Sequence, residues 1–127
     1  MTEALGAFVD AGRTLASLGL VKESEGNLSC FDGQRLAITR TGCALAALGA
    51  ADVLGGTLDA PPADASSDLA IHVATYRERG PGAVAHAHPA GTMPPGWVEG
   101  QAHGAYAFAA TLGDAVATVV AEARGLG

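Results

Sequence analysis

The chain has 127 residues, 49% of them hydrophobic, which predicts one compact domain over residues 1–127. Its formal net charge is −6 and its seven basic residues are scattered, which argues against the concentrated basic surface that nucleic acid requires. No apolar run approaches the ~18 residues that span a bilayer, and the first residues lack the pattern of a signal peptide, so we expect a cytoplasmic protein without a membrane partner.

The first part of the chain predicts a helix, a loop, a tight turn and a strand. Between Thr2 and Leu18 apolar residues recur at helical spacing, and Gly19 follows where a C-terminal cap belongs. The polar residues 25–29 are typical of a loop, and residues 32–33 of a tight turn. Alternation of apolar and polar residues over 35–39 favours a strand.

The rest of the chain predicts further helices and strands in alternation. A short helical turn is expected over residues 44–48 and a longer helix over 66–80, where small polar residues precede helical spacing and a Gly-Pro pair ends it. Residues 83–88 predict a buried strand, 105–109 a second strand, and 113–124 a last helix. This interleaving predicts an α/β domain built in layers.

Histidines in the second half of the chain are candidate metal ligands. Residues two apart in a strand point to the same face, so His86 and His88 project together and can share one ion. His103 supplies a third nitrogen if the strand that follows it lies beside the His86 strand, and three ligands leave zinc one position for substrate. Considered separately, His86 and His88 are better explained as two ordinary histidines, and His103 as a polar loop residue, than as metal ligands.

Asp68 is the candidate acid/base residue. It lies at the start of the helix predicted over residues 66–80, and His72 follows one turn later, where it could orient Asp68. A helix dipole alone also favours an acidic residue at that position. A histidine at the position of His72 is more often a half-buried packing residue.

Small polar residues in turns are candidates for binding phosphate. The net negative charge disfavours an anionic substrate, so such a site must depend on local N–H groups and hydroxyls. These groups occur in turns or at a helix start, at Asn27, Ser29, Thr41, Gly42, Ser66 and Ser67. Each of them is individually better explained as a cap or a turn former.

The order of the short motifs resembles the class II aldolase/adducin family. In succession the chain carries G-N-x-S from Gly26, T-x-[ST]-G from Thr39, S-S-[DE]-x3-H from Ser66, H-x-H-P from His86 and H-G from His103. The order of the motifs is far more specific than any one of them. The resemblance implies a shortened family member with a three-layer α/β/α fold around a mainly antiparallel sheet, assembled as a homo-oligomer, usually a tetramer.

The resemblance also implies a function, that of a zinc-dependent lyase of carbohydrate metabolism. His86, His88 and His103 would bind Zn²⁺ or another divalent metal, and Asp68 would be the catalytic acid/base residue. The substrate phosphate would be held by Asn27, Thr41, Gly42, Ser66 and Ser67. The expected reaction is that of an aldolase, which cleaves a carbon–carbon bond of a small ketose phosphate through a metal-stabilised enediolate.

Two departures from the family's pattern leave other functions open. Asp68 replaces the usual glutamate and is one methylene shorter, and the segment between His88 and His103 is shorter than in typical members. One alternative is a sugar-phosphate epimerase or dehydratase on the same metal site. The other is a catalytically silent, adducin-like binding or assembly domain.

Overall fold

A computed structural model describes residues 2–88 and 105–126. In chain order its helices and strands are α1 (Thr2–Ser17), β1 (Asn27–Phe31), β2 (Leu36–Thr39), β3 (Val53–Gly56), α2 (Leu69–Arg79), β4 (Gly82–Ala87), β5 (Ala105–Ala109) and α3 (Leu112–Leu126). Two single-turn 3-10 helices, Leu45–Ala47 and Ala50–Asp52, lie between β2 and β3. None of the helices described is both long and apolar enough to cross a bilayer.

The strands form one sheet in the order β3-β2-β1-β4-β5, and every neighbouring pair is antiparallel. β1 lies at the centre, and its register places Asn27 opposite His86 of β4. β4 in turn places His86 opposite Tyr106 of β5. The middle of the sheet therefore aligns three side chains that are far apart in sequence.

The helices α1 and α3 cover one face of the sheet with an apolar core. Side chains that are fully or almost fully buried there include Phe8, Leu15, Leu28, Leu45, Ala85, Val116 and Val119. Close packing requires a glycine at position 12 of α1, because a Cβ there would lie 2.1 Å from the carbonyl oxygen of Leu45. Only glycine lets the helix backbone approach the Leu45 turn so closely.

The helix α2 covers the opposite face of the sheet. Its Tyr76 packs against the apolar side chains of Leu36, Ile38 and Val84, which all belong to the sheet. The Tyr76 ring also lies 5.3 Å from the ring of Phe31 between centroids. Helices on both faces of an antiparallel sheet give the three-layer α/β/α fold, and this prediction is confirmed.

One sequence prediction within the sheet was wrong, and one strand was not predicted. The loop expected over residues 25–29 ends at Asn27, where β1 begins. The polar side chains of Asn27 and Ser29 are buried beneath α2, so their polarity concealed a strand. The strand β3 was not predicted, because two of its four residues are glycines and carry no side chain to show alternation.

Candidate active site

Three polar side chains meet where the sheet's two central strands approach the start of α2. Asn27 Nδ2 donates a hydrogen bond to Asp68 Oδ2 at 2.8 Å, and the same oxygen lies 2.9 Å from His86 Nδ1. The third side of this triangle, Asn27 Nδ2 to His86 Nδ1, measures 3.2 Å. Asn27 and His86 are buried, whereas the Asp68 side chain is 15% exposed, so the carboxylate lies between the interior and solvent.

The glycine before Asn27 explains how the amide reaches this position. Gly26 has a φ of +79°, and a Cβ there would lie 2.8 Å from the carbonyl oxygen of His86 and 2.7 Å from a methyl group of Val21. A side chain at residue 26 would therefore push the chain away from β4. The glycine allows β1 to begin with Asn27 directly opposite His86.

Asp68 directs its carboxylate toward the site and away from its own helix. It occupies the N-cap position of α2, yet its side chain makes no capping hydrogen bond. Ser66 Oγ instead accepts a hydrogen bond from the Asp68 backbone N–H, at 3.2 Å. The helix-dipole explanation of Asp68 is thus incomplete, because the side chain is engaged by Asn27 and His86.

The carboxylate determines the tautomer of His86. An ionised carboxylate can only accept hydrogen bonds, so His86 Nδ1 must carry the hydrogen that faces Asp68. The lone pair of the neutral imidazole then lies on Nε2. A carboxylate that orients a histidine in this way is the usual outer partner of a histidine bound to metal.

His88 and Tyr106 flank His86. The His86 and His88 ring centroids lie 4.6 Å apart, so the structure brings the two predicted ligands together. The Tyr106 ring stacks on His86 at 3.8 Å with an interplanar angle of 6°. Burial, together with the neighbouring Asp68 carboxylate, raises the pKa of Tyr106.

His103, the third predicted metal ligand, lies outside the described residues. Within residues 2–88 and 105–126 no group of three or more histidine, cysteine, aspartate or glutamate side chains is arranged to hold a metal ion. The described ranges therefore present His86 and His88 as neighbouring imidazoles beside the Asp68 carboxylate.

A polar cleft of about 370 Å³ opens beside these groups. It is lined by five of the six candidate phosphate-binding residues, Asn27, Thr41, Gly42, Ser66 and Ser67, together with Asp68 and His88, whereas Ser29 is buried beneath α2. Two backbone hydrogen bonds hold the two hydroxyl-bearing segments together, from Thr41 N–H to Asp64 O at 2.8 Å and from Ser66 N–H to Thr39 O at 3.0 Å. Four segments that are distant in sequence, at residues 24–27, 40–43, 66–68 and 88, thus share one cleft.

Arg40 also lines the cleft, and the sequence reasoning did not single it out. Its guanidinium forms an ion pair with Asp52, and the side chain is 44% exposed. The signal was available in the T-x-[ST]-G motif, where Arg40 occupies the variable position. Because Asp52 pairs with Arg40, a ligand in the cleft would compete with this carboxylate for the guanidinium.

A second group of buried polar side chains lies beneath the cleft. His72 Nε2 contacts Asn27 Oδ1, His72 Nδ1 contacts Ser29 Oγ, and Ser29 Oγ lies 2.7 Å from the Tyr76 hydroxyl. Burial, and to a smaller extent the nearby His86, lowers the pKa of His72 to about 4. His72 therefore reaches Asp68 through Asn27, an indirect form of the orienting role expected from the sequence.

The family of the chain follows from residues 6–94, which match the class II aldolase and adducin N-terminal domain. The match covers more than half of the 127 residues, so the chain belongs to this family. Comparison with curated protein sequences gives no match.

Solved structures of several proteins share this fold. An L-fuculose-1-phosphate aldolase from Thermus thermophilus is 33% identical over 68% of this chain and 46% of its own, with a TM-score of 0.63. YgbL from Escherichia coli is 17% identical over 96% of this chain and 86% of its own, with a TM-score of 0.80. YgbL from Klebsiella pneumoniae is 20% identical over 98% of this chain and 88% of its own, with a TM-score of 0.78.

The similarity differs in kind between these relatives. This chain spans slightly less than half the length of the fuculose-phosphate aldolase, with which it shares the higher identity. The YgbL proteins are covered almost entirely, but at identities that establish the fold alone.

Proposed function

We propose that the protein is a metal-dependent aldehyde-lyase that cleaves a carbon–carbon bond of a small ketose phosphate. The observation that carries the proposal is the polar cleft, which joins the predicted phosphate-binding residues to Asp68 and His88 and adjoins His86. Family membership and the likeness to an L-fuculose-1-phosphate aldolase support the same class of reaction.

The donor set fits a divalent metal, with zinc as the preferred ion. His86 offers Nε2 because its Nδ1 faces Asp68, and His88 is its neighbour. His103 is proposed as the third ligand. Bound zinc would supply a Lewis acid that draws electron density from the carbonyl and hydroxyl oxygens of the substrate.

The phosphate would be held by the hydroxyls and N–H groups that line the cleft. Thr41 and Gly42 approach from one segment, Ser66 and Ser67 from the other, and Asn27 from the floor. The Asn27 amide also borders the cleft, where its Nδ2 donates to Asp68. Several neutral donors suit a phosphate in a protein of net charge −6.

Asp68 is the proposed proton-transfer group. Its carboxylate lies at the edge of the cleft beside His86, within reach of a substrate held by the phosphate cradle. In the cleavage direction Asp68 would accept the proton of the hydroxyl group on the carbon that becomes the aldehyde. The carbon–carbon bond then breaks, and its electron pair moves to the carbon beside the ketose carbonyl. Because aspartate is shorter than glutamate, the substrate must lie correspondingly closer to the main chain of α2.

The first test is the metal content of the purified protein, measured by elemental analysis after zinc is offered. We expect about one zinc per chain, as in sites with three protein ligands, and its loss in the double variant His86→Ala, His88→Ala. The matched control is His72→Gln, which changes a buried histidine that is not a proposed ligand and should retain the metal. Equal zinc in the double variant and the wild type would refute the assignment of these ligands.

The second test is turnover of ketose phosphates, with the products identified. A released triose phosphate supports cleavage, and Asp68→Asn should then reduce kcat by about 100-fold or more. Unchanged turnover in that variant would remove the proton role from Asp68.

The alternatives predict other products on the same site. An epimerase returns an isomeric sugar phosphate and a dehydratase releases water, and neither yields a triose phosphate. A catalytically silent, adducin-like binding domain is favoured by the short Asp68 side chain, and it would bind zinc without turnover of any sugar phosphate. A cytoplasmic location and a tetrameric assembly stay predictions, and light scattering of the purified protein would test the second.

A further inference from the structure

The buried polar side chains beneath the cleft form one continuous path from Tyr76 to Asp68. Its links are Tyr76 to Ser29, Ser29 to His72, His72 to Asn27 and Asn27 to Asp68. Four of these residues are buried, and Asp68, the last, meets the cleft with its carboxylate. Tyr76, Ser29 and His72 take no part in the proposed binding and proton transfer.

The chemistry of the groups gives this path one direction. The Asp68 carboxylate accepts, so the Asn27 amide must present its Nδ2 to Asp68 and its Oδ1 to His72. His72 Nε2 must then carry a hydrogen, which it donates to Asn27 Oδ1. Burial lowers the pKa of His72 to about 4, so the ring is neutral at neutral pH. Its Nδ1 then has a lone pair, which accepts a hydrogen bond from the Ser29 hydroxyl.

The two hydroxyl groups at the far end of the path donate in the same direction. The Ser29 hydroxyl donates its only hydrogen to His72 and therefore accepts from the Tyr76 hydroxyl, at 2.7 Å. Packing holds Tyr76 in place, since its ring lies between those of Phe31 and Phe108, at centroid distances of 5.3 and 6.2 Å. Every hydrogen along the path is thus assigned.

We infer that His72, supported by Ser29 and Tyr76, is a positioning residue that fixes the Asn27 amide so that its N–H faces Asp68 and its oxygen faces the interior. An amide is nearly symmetric in shape, so shape alone does not distinguish the two orientations. With Asn27 turned by a half-rotation, its oxygen would face the Asp68 carboxylate and repel it, and Asp68 would keep its contact with His86 Nδ1 but lose the hydrogen bond from Asn27.

The inference rests on the proposed function for its importance, but its direct test requires neither metal nor turnover. Nitrogen-15 NMR of the imidazole rings reports which nitrogen carries the hydrogen. We expect neutral His72 with its hydrogen on Nε2, unchanged between about pH 5.5 and 8, where an ordinary histidine would titrate. A hydrogen on Nδ1, or an imidazolium in that range, would overturn the inference.

Substitutions at His72 then test the link to the site. In His72→Leu we expect a change in the Asn27 side-chain amide signals and a loss of zinc affinity of about 10-fold, the low end of the cost of removing an outer-shell partner, because His72 acts on Asp68 only through Asn27. His72→Gln should restore the affinity to within about threefold, because its amide can donate to Asn27 and accept from Ser29. A folded His72→Leu protein with wild-type amide signals and affinity would contradict the inference.

A milder variant covers the case in which His72→Leu fails to fold. Tyr76→Phe keeps the packed ring and removes only the hydroxyl, so the Ser29–His72 bond loses its support while Asn27 and Asp68 stay untouched. We expect smaller shifts of the same Asn27 signals, and an unaltered His72 and Asn27 spectrum would count against the path. A wild type that binds no zinc would refute the proposed metal site, and the His72 tautomer would still decide the positioning role.

Discussion

The two central strands present different chemistry on their two faces. Toward α1 and α3, β1 and β4 contribute side chains such as Leu28 and Ala85, which belong to an apolar core. Toward α2 the same strands contribute Asn27, Ser29 and His86, all of them buried. Alternation along a strand is what allows a single backbone to supply both environments.

The two faces are stabilised in different ways. The apolar face gains from burial and close packing, which are non-directional and depend on shape. The polar face gains only if each buried donor and acceptor has its partner, so one substitution can affect several residues along the path. The apolar face therefore contributes to stability alone, whereas the polar face contributes to stability and also positions the side chains of the site.

The largest effect should come from the apolar face. Phe8→Ala removes a fully buried ring and is expected to lower the free energy of unfolding by about 3–5 kcal/mol, measured by urea denaturation. The control, Leu18→Ala, changes a side chain that is 50% exposed and should cost less than about 0.5 kcal/mol. Any Phe8→Ala protein that stays folded should keep the zinc affinity of the wild type. A large loss of affinity would show that the apolar face also affects the candidate site.

Ser29→Ala should show the cost of an incomplete polar face. The variant leaves His72 Nδ1 and the Tyr76 hydroxyl without their shared partner, and an unsatisfied buried group costs about 1–3 kcal/mol. We expect a total loss of about 3 kcal/mol in unfolding free energy. Ser17→Ala, at an exposed serine, is the matched control. A loss equal to that of the control would mean that the path contributes nothing to stability.

The stability of the polar face should depend on pH, because His72 is buried there. Burial lowers the His72 pKa from 6.5 to about 4, so between these values the unfolded chain binds a proton that the folded protein does not. Stability should therefore fall as pH decreases from about 6.5 toward 4, by about 2 kcal/mol at pH 5 relative to neutral pH. Urea unfolding of wild type and His72→Gln at both pH values checks this, since the variant should lack that part of the decrease. Parallel curves for the two proteins would show that His72 is not the group responsible.

The smallest effect is expected outside both faces. Arg77 pairs with Asp59 at 2.8 Å, but the two side chains are 53% and 91% exposed. Arg77→Ala should change the unfolding free energy by less than about 0.5 kcal/mol, because exposed ion pairs are screened by water and salt. A larger loss in urea denaturation would show that this surface pair stabilises the start of the loop before α2.

The fold was predictable where the sequence shows one period throughout an element. The three helices and the strands β2, β4 and β5 follow patterns of 3.6 or 2 residues, and the structure has them within a few residues of the predicted bounds. The strand β1 was hidden because its inward residues toward α2 are polar. Burial of Asn27 and Ser29 depends on partners at residues 68, 72 and 76, which local sequence does not reveal.

The candidate site was predictable as a set of residues and less so as a geometry. The motifs of the family identified the polar residues at the centre of the cleft but neither Arg40 nor Tyr106. Tyr106 was visible only as a member of a strand, and its stacking on His86 depends on the β4–β5 register. The bonds that connect His72 to Asp68 by way of Asn27 require three segments to meet, and spacing along the chain carries no such information.

The register that places Asn27 opposite His86 also determines when the site forms during folding. The β1–β2 hairpin closes a short loop, whereas Asn27 and His86 are 59 residues apart and Asn27 and Asp68 are 41 apart. Pairing across long separations is slower because more chain entropy is lost before any contact forms. A chain leaving the ribosome is therefore expected to form its first hairpin well before the cleft, so the proposed metal site would be assembled only late in folding.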